Sequence, residues 1–378
     1  MMTTQERYSL ITQNTEEVLT PEDLKEFLDK NYEMKHYIGF EISGKIHLGT
    51  GLASMLKIRD FLEAGIECTV FLADWHTWLN GKLGGNLETI KKTAVGYFKE
   101  GMKASMLCLG GNPEDISFLL GSDLYHNNDL YWQTVVEVSQ KTSLSRIVRS
   151  LDIMGRKKEE GVEFAKLIYP PMQVSDIFAQ DLTIAHAGTD QRKAHVIMRD
   201  VADQLKFNPV KRGGKVIKPV AIHHHILLGL LKPSVWPIPE NQVRDLWIDM
   251  KMSKSKPDSA VFIHDEPDLI IKKIQSAFCP PLETMYNPLL DWAKNLLFKT
   301  SSDYTLRVKR DSRYGGNKTY PSYDEVEEEY KTGKLHPQDL KGSIAESLID
   351  LLEPARKHFD DEPAKEYLSE LKQLIITE

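Results

Sequence analysis

Cysteine is scarce in this chain. Cys68, Cys108 and Cys279 are spread through 378 residues and form no CxxC pair. Such an odd, dispersed set argues against a disulfide framework or a cysteine-rich zinc site, and for a reducing compartment. Long apolar runs are missing too, and no segment approaches the roughly 20 residues of a membrane span. The start, MMTTQERYSL, has no basic stretch followed by an apolar core. The expectation is therefore a cytoplasmic protein without a secretory signal. Positive charge is in deficit, with 48 Lys and Arg against 55 Asp and Glu and a formal net charge of -7. That disfavours a general nucleic-acid binder but leaves room for local basic patches. Two are visible, Arg146–Lys158 and Arg307–Lys318, and each taken alone reads as a solvated helix or hairpin face. Neither GxxxxGK[ST] nor GxGxxG occurs, so the two commonest nucleotide fingerprints are absent.

What is present is an ordinary globular composition, 41% hydrophobic and 27% charged, in a chain long enough for one large domain and a smaller one. Residues 1–34 read as helical. Thr20-Pro21-Glu22-Asp23 has the form of a helix start, with a hydroxyl N-cap, a first-turn proline and acids facing the dipole. Strands and helices then alternate. Strands are expected at His36–Glu41, Cys68–Ala73, Ile116–Leu120, Leu182–His186 and Pro219–His223. Helices are expected at Leu48–Ala64, Leu87–Leu109 and Asp190–Leu205. This rhythm predicts an α/β fold with a doubly wound parallel sheet, whose ligands bind beyond the carboxyl ends of the strands. Two helical stretches at about 128–163 interrupt it as an insertion. From about residue 266 the pattern is helical, with amphipathic helices at Ile344–Phe359 and Ala364–Ile375, which predicts a second, α-helical domain.

Three stretches carry chemistry. The turn SGKIHLGTG (Ser43–Gly51) joins the first strand to its helix. Gly44, Gly49 and Gly51 would let a ligand approach the backbone, the helix N-terminus offers free N–H groups, and His47 lies in the first turn. The loop MKMSKSKPDSA (Met250–Ala260) alternates lysines with serines and has no apolar face. A mobile loop of ammonium groups and hydroxyls suits transient clamping of a phosphate chain, although an arbitrary run of this kind is more often plain surface. Tyr169, Gln173 and Asp176 follow at i, i+4 and i+7, so one helix face carries all three amid apolar neighbours. Buried polar groups need partners, either a ligand or an internal network. Asp74 and His76 lie just past a strand end, as a capped turn or as part of a ligand edge. His223-His224-His225 alternate faces along a strand and have no acid or cysteine cluster beside them, which is poor geometry for one ion, so no metal site is expected.

These stretches carry a family resemblance. Lys251–Ser255 reads KMSKS, the signature loop of class I aminoacyl-tRNA synthetases, and His47-Leu48-Gly49-Thr50 resembles their HIGH motif with threonine in place of the last histidine. Together with YIGFEISGKIHLGTG, FLADWH, YPPMQVSDI, AGTDQRK and LHPQDLK, the chain resembles tyrosyl-tRNA synthetases of archaeal and eukaryotic type from about Tyr37 to the last helices. The resemblance implies a Rossmann-type catalytic domain over 35–248, a KMSKS loop and linker over 249–265, and an α-helical anticodon-binding domain over 266–378, with 1–34 as an N-terminal extension. It implies activation of L-tyrosine by ATP with Mg2+, followed by transfer to tRNA(Tyr). Tyr37 and Asp176 would meet the phenol, and Tyr169, Gln173 and Gln191 the ammonium group. Gly44, His47, Gly49, Thr50, Lys251, Ser253, Lys254 and Ser255 would hold ATP, with His47, Lys251 and Lys254 acting in catalysis. Arg149 and Arg192 would meet the acceptor stem, and His336 and Asp339 the anticodon. Leu296 stands near a position where the family often carries an aromatic residue. The insertion would form a homodimer interface. A tryptophan-specific relative, an RNA-binding protein without catalysis and a nucleotidyltransferase without a tRNA role are the alternatives left open.

Overall fold

A computed structural model describes residues 2–155, 163–239, 250–254 and 256–374. Helices α1 (Thr4–Thr12) and α2 (Pro21–Asp29) flank strand β1 (Glu17–Leu19). The first crossover runs from β2 (Lys35–Phe40) through α3 (Ser54–Glu63) to β3 (Glu67–Leu72). The second passes α4 (Asp74–Leu79), α5 (Leu87–Thr93) and α6 (Lys99–Cys108) to β4 (Ile116–Leu120). Then come α7 (Gly121–Tyr125), α8 (Asp129–Lys141), α9 (Leu144–Ser150) and α10 (Tyr169–Ala179). Strand β5 (Ile184–Gly188), helix α11 (Arg192–Val201), a small hairpin of β6 (Lys211–Arg212) and β7 (Lys215–Val216), and β8 (Val220–His224) complete the first half. The sheet order is β1-β8-β5-β2-β3-β4, all parallel except β1, which runs antiparallel to β8. The direction of winding reverses between β2 and β5, which opens a crevice at their carboxyl ends.

Alternation along each strand sends successive side chains to opposite faces. Ile38, Ile184, Val220 and Ile222 point to one face, where the core continues from Ile11 through Trp292 to Leu371. Tyr37, Ala185 and Ala221 point to the other, beneath α8, α10 and α11. Both faces are covered, as the near-continuous apolar strands require. The later helices, among them Pro267–Ser276, Pro288–Trp292 and Pro337–Leu351, share the first of these cores with the sheet. Among the described residues, no helix is long and apolar enough to cross a membrane.

Several local expectations need correction. Residues 1–34 are not wholly helical, because β1 lies between the helices and caps the sheet edge; the sheet is therefore mixed. Thr20 does precede α2, but its φ of 59° is left-handed and its hydroxyl makes no cap; it donates to the Leu19 carbonyl instead. The helix expected at Leu48–Ala64 opens with a π turn over Gly49–Ala53. The one expected at Leu87–Leu109 is broken by another π turn at Ala94–Phe98, where Gly96 departs from helical geometry. A Cβ on Gly96 would lie 2.9 Å from the Tyr367 ring, so the close packing of a distant helix sets that break. Ile344–Phe359 is divided between Pro337–Leu351 and Glu353–Asp360. Pro354 has no N–H to give the Asp350 carbonyl, which ends the first helix. The segment Ile375–Glu378 lies outside the described residues.

Candidate active site

A cavity of about 620 Å³ opens at the carboxyl ends of β2, β5 and β8. Its wall brings together Tyr37, His47, Gly49, Thr50, Tyr169, Gln173, Asp176, Gln191, Lys251, Ser253 and Lys254, from segments far apart in sequence. Glu41, Ser43, His76 and His224 line it as well.

At one end, Asp176 is buried on α10. Its Oδ1 accepts hydrogen bonds from the phenols of Tyr125 and Tyr131, each at 3.0 Å. Its Oδ2 lies 3.7 Å from His76 Nε2, an atom with no hydrogen-bond partner among the described residues. Burial pushes the Asp176 carboxyl well above its usual range, although the two phenols counter it. Burial also lowers His76 to about 3, so its imidazole is neutral. Tyr37 lines this end, and burial with the nearby Asp176 pushes its phenol up. A neutral imidazole, a carboxyl group and a phenol thus face one apolar slot, which suits a ligand with a hydroxyl at its tip.

Two helical turns away, Tyr169 donates its phenolic proton to Glu41 Oε1 at 2.9 Å. That leaves the oxygen lone pairs of Tyr169 for a cation. Gln191 Nε2 donates to the Ile153 carbonyl at 2.9 Å, which turns its Oε1 toward Gln173 Nε2 at 3.1 Å. This amide chain leaves Gln173 Oε1 without a partner among the described residues. The two oxygens, with the Glu41 carboxyl behind them, are acceptors suited to an ammonium group. Burial raises Glu41, while hydrogen bonds from Asn80 and Tyr169 hold it down.

At the opposite end, the Thr50 backbone N–H donates to His47 Nδ1 at 3.2 Å, and His47 Nε2 lies 3.2 Å from the Thr50 hydroxyl. An Nδ1 that accepts places the ring proton on Nε2, so the imidazole donates to Thr50 and the Thr50 hydroxyl proton is left to point into the cavity. Burial, reinforced by Lys254 and Lys251, lowers His47 to about 3. The threonine in place of a second histidine is therefore a hydroxyl polarised by the first. Lys254 Nζ donates to Ser43 Oγ at 2.9 Å, and burial lowers it to about 8, with Glu41 opposing and Lys82 adding to the shift. Lys251 pairs with Asp190 at 3.1 Å. The loop is also less solvated than its composition suggests, because Met250 and Met252 are buried.

Other expected site residues lie elsewhere. Gly44 does not line the cavity; its φ of 107° makes the turn. Gly51 faces protein and not ligand, since a Cβ there would lie 2.5 Å from Ser105 Oγ and 2.9 Å from Ile46 Cγ2. Asp74 is a capped turn, accepting from the Trp75 and Ser122 amides at 2.9 and 3.0 Å. Arg149 and Arg192 sit outside the cavity near one another: the Arg149 carbonyl accepts from Lys193, and Arg192 Nε reaches the Glu17 carboxylate at 2.9 Å. His336 caps helix Pro337–Leu351 by accepting the Gln338 amide proton, and Asp339 lies 3.9 Å from Arg310. Leu296 is fully buried, so it offers no stacking surface. Ser255, and Arg156 and Lys157 of the first basic patch, lie outside the described residues. In the second patch, Lys309, Arg313 and Lys318 pair with Glu346, Asp311 and Glu329, as a solvated hairpin face would.

The three adjacent histidines do diverge. His223 bonds His195 and Glu17, His224 bonds His186, and His225 bonds Glu16 and Asp291. Glu41, Tyr125 and Tyr131 were not singled out from sequence. Glu41 had a signal, being the last residue of the strand expected at His36–Glu41, and it lies just past the carboxyl end of β2. The two tyrosines had none, because only tertiary packing brings α7 and α8 against α10.

The profile of tRNA synthetases class I (W and Y) matches residues 29–353. The chain belongs to that family. Within it, the chain is 52% identical to the tyrosine–tRNA ligase of Pyrococcus furiosus over 100% of both chains. It is likewise 52% identical to that of Thermococcus sibiricus over 96% of both. A crystal structure of the Pyrococcus horikoshii tyrosyl-tRNA synthetase complexed with L-tyrosine superimposes with a TM-score of 0.94 at 50% identity, covering 98% of this chain and 100% of that one. The particular branch is that of the tyrosine–tRNA ligases.

Proposed function

We propose that the cavity activates L-tyrosine with ATP and passes it to tRNA(Tyr), with the residues divided as its two ends suggest. The carrying observation is the Tyr169–Gln173–Asp176 face, which sets two oxygen acceptors for an ammonium group one and two helical turns from a buried carboxyl group for a phenol. Tyr37 and Asp176 receive the phenol; Tyr169, Gln173 and Gln191 receive or orient the ammonium group.

In the first step a tyrosine carboxylate oxygen attacks the ATP α-phosphorus, and the bond to the bridging oxygen breaks to release pyrophosphate. This reaction needs alignment and charge stabilisation more than proton transfer. His47 through Thr50, the turn around Gly49, and Ser253, Lys251 and Lys254 supply donors and positive charge for that end. Magnesium arrives with ATP as part of the substrate, held by its phosphates. In the second step a ribose hydroxyl at the tRNA 3′ end attacks the tyrosyl carbonyl carbon, and AMP leaves.

For tRNA, Arg149 and Arg192 form the acceptor-stem contact. His336 and Asp339 lie at the start of helix Pro337–Leu351, within the stretch 266–378 that serves as the anticodon-binding domain. The helical insertion about 128–163 serves as a homodimer surface, supported by the exposed apolar residues Leu130, Val136, Leu144 and Val148 of α8 and α9. The setting is the cytoplasm.

ATP–pyrophosphate exchange with tyrosine, tryptophan and phenylalanine offered separately tests the reading. Exchange with tyrosine alone is expected. Exchange with tryptophan in its place would mean that the Asp176 end accepts an indole and that the pocket assignment is wrong.

A further inference from the structure

Three buried histidines cross the sheet in a diagonal row. His36 on β2, His186 on β5 and His224 on β8 point to the same face, each one residue pair nearer the carboxyl edge than the last; Ile38 is level with His186, and Gly188 with His224. His36 Nε2 lies 3.1 Å from His186 Nδ1, and His186 Nε2 lies 2.8 Å from His224 Nδ1. The row begins in the core, where His36 Nδ1 has no partner among the described residues, and ends at His224 on the cavity wall. Burial keeps all three rings neutral, with His36 at about 3, His224 at about 4 and His186 well below its usual value.

Neutral rings in such a row share one polarity. Either every ring carries its proton on Nε2 and donates toward the cavity, or every ring carries it on Nδ1 and donates toward the core. The second arrangement buries an N–H with no acceptor at His36. The first arrangement leaves only an acceptor lone pair at that end and turns the donor end of the row toward the cavity, which Asp190 lines together with His224. The cost of an unpaired buried N–H selects the first tautomer.

We propose that this row makes His224 a fixed hydrogen-bond donor, through Nε2–H, to an uncharged acceptor on the nucleoside part of ATP, with His186 and His36 as positioning residues. His224 borders the nucleotide end, because four residues further on Leu228 bridges to Lys251. Asp190 is already paired with Lys251 there, and a neutral imidazole N–H beside that ion pair adds no positive charge, so an uncharged ribose hydroxyl or purine ring nitrogen is the better match. The ligand assignment rests on the function proposed above; the tautomers do not.

Long-range 1H–15N correlation spectra of the full-length protein labelled with 15N-histidine would read the tautomers directly. Protons on Nε2 of His36, His186 and His224 are expected, and a proton on Nδ1 of His186 or His224 would overturn the proposal. In exchange assays His224→Leu should raise the ATP KM about threefold to tenfold, the worth of one neutral hydrogen bond, with kcat little affected. His224→Gln, which keeps an N–H donor, should recover much of the loss. His186→Phe should raise the ATP KM as well, while His224 loses its single tautomer in the spectra. An ATP KM unchanged by His224→Leu would sink the nucleotide contact. If the unsubstituted protein showed no tyrosine-dependent exchange, the proposed function would fail, while the substrate-free spectra would still decide the tautomers.

Discussion

Asp176 and Lys254 show how far burial moves a single side chain from its solution chemistry. The carboxyl of Asp176 is held toward ionisation only by the phenols of Tyr125 and Tyr131. Tyr131→Phe removes one of these donors and should lower kcat/KM for tyrosine about threefold to tenfold, the worth of one hydrogen bond. A change of less than twofold would mean that the phenol end lies elsewhere. Lys254, lowered to about 8, should lose its proton just above neutrality. Because kcat/KM reports the free enzyme, its value for ATP should be flat below pH 8 and fall about tenfold per pH unit above. Lys254→Arg, whose guanidinium keeps its charge, should abolish that fall. A profile flat to pH 9.5 in the unsubstituted protein would count against Lys254 as a charged ATP contact.

Among the elements, the turn between β2 and α3 is tightly packed at Gly51. The π turn at Gly49–Ala53 seats its backbone directly on α6, and Gly51 is the point of closest approach. Gly51→Ala would press a methyl group into Ser105 and Ile46, so overpacking should cost about 1–3 kcal/mol. Urea unfolding should show this as a lower midpoint with an unchanged slope; an unchanged midpoint would mean that the turn has slack. Strand β1 is a second case. Its three residues, Glu17-Val18-Leu19, show no alternation and are too few to register as a strand. Its position is set by pairing with β8, and that pairing also brings Glu17 to His223 and Arg192. The helix breaks at Gly96 and Leu352 divide similarly. Pro354 made the second legible in principle, whereas the first depends on a ring contributed from residue 367.

At the scale of the molecule, the helical C-terminal portion is fastened to the sheet through a few polar contacts laid over a shared core. Arg59 of α3 donates to the carbonyls of Lys299 and Thr300 at 3.1 and 2.7 Å, and Trp292 donates to the Leu228 carbonyl at 2.7 Å. His225 joins Glu16 of the N-terminal segment to Asp291, each at 2.7 Å. Burial pulls its imidazole down, but those two carboxylates carry it up to about 9. A raised histidine contributes its stability fully below the unfolded value near 6.5 and loses it as pH climbs through 9. The Tm of the unsubstituted protein should therefore exceed that of His225→Gln at pH 6 to 7, and the gap should close by about pH 10. A constant gap would refute the latch. The proposed dimer surface has its own test: Val136→Asp should shift the protein toward monomer in sedimentation experiments, and no shift would place the interface elsewhere.

The sequence by itself determined the α/β rhythm, the ligand edge and the identity of most groups on the cavity wall. Period-2 and period-3.6 patterns, a helix carrying Tyr169, Gln173 and Asp176 on one face, and the KMSKS loop are all local. Local spacing survives folding when both sheet faces are buried. What only the tertiary structure decided was partnership: which acceptor each polar group finds, and so which proton or lone pair is left for a ligand. Tyr125 and Tyr131 converge on Asp176 from other helices, Glu41 takes the Tyr169 proton, and Gly51 proves to be a packing contact. These depend on through-space distances between residues as many as 128 positions apart, and no pattern along the chain encodes them. The same holds for charge. Burial and neighbours set the protonation of His47, Lys254 and His225, and both are properties of the folded chain.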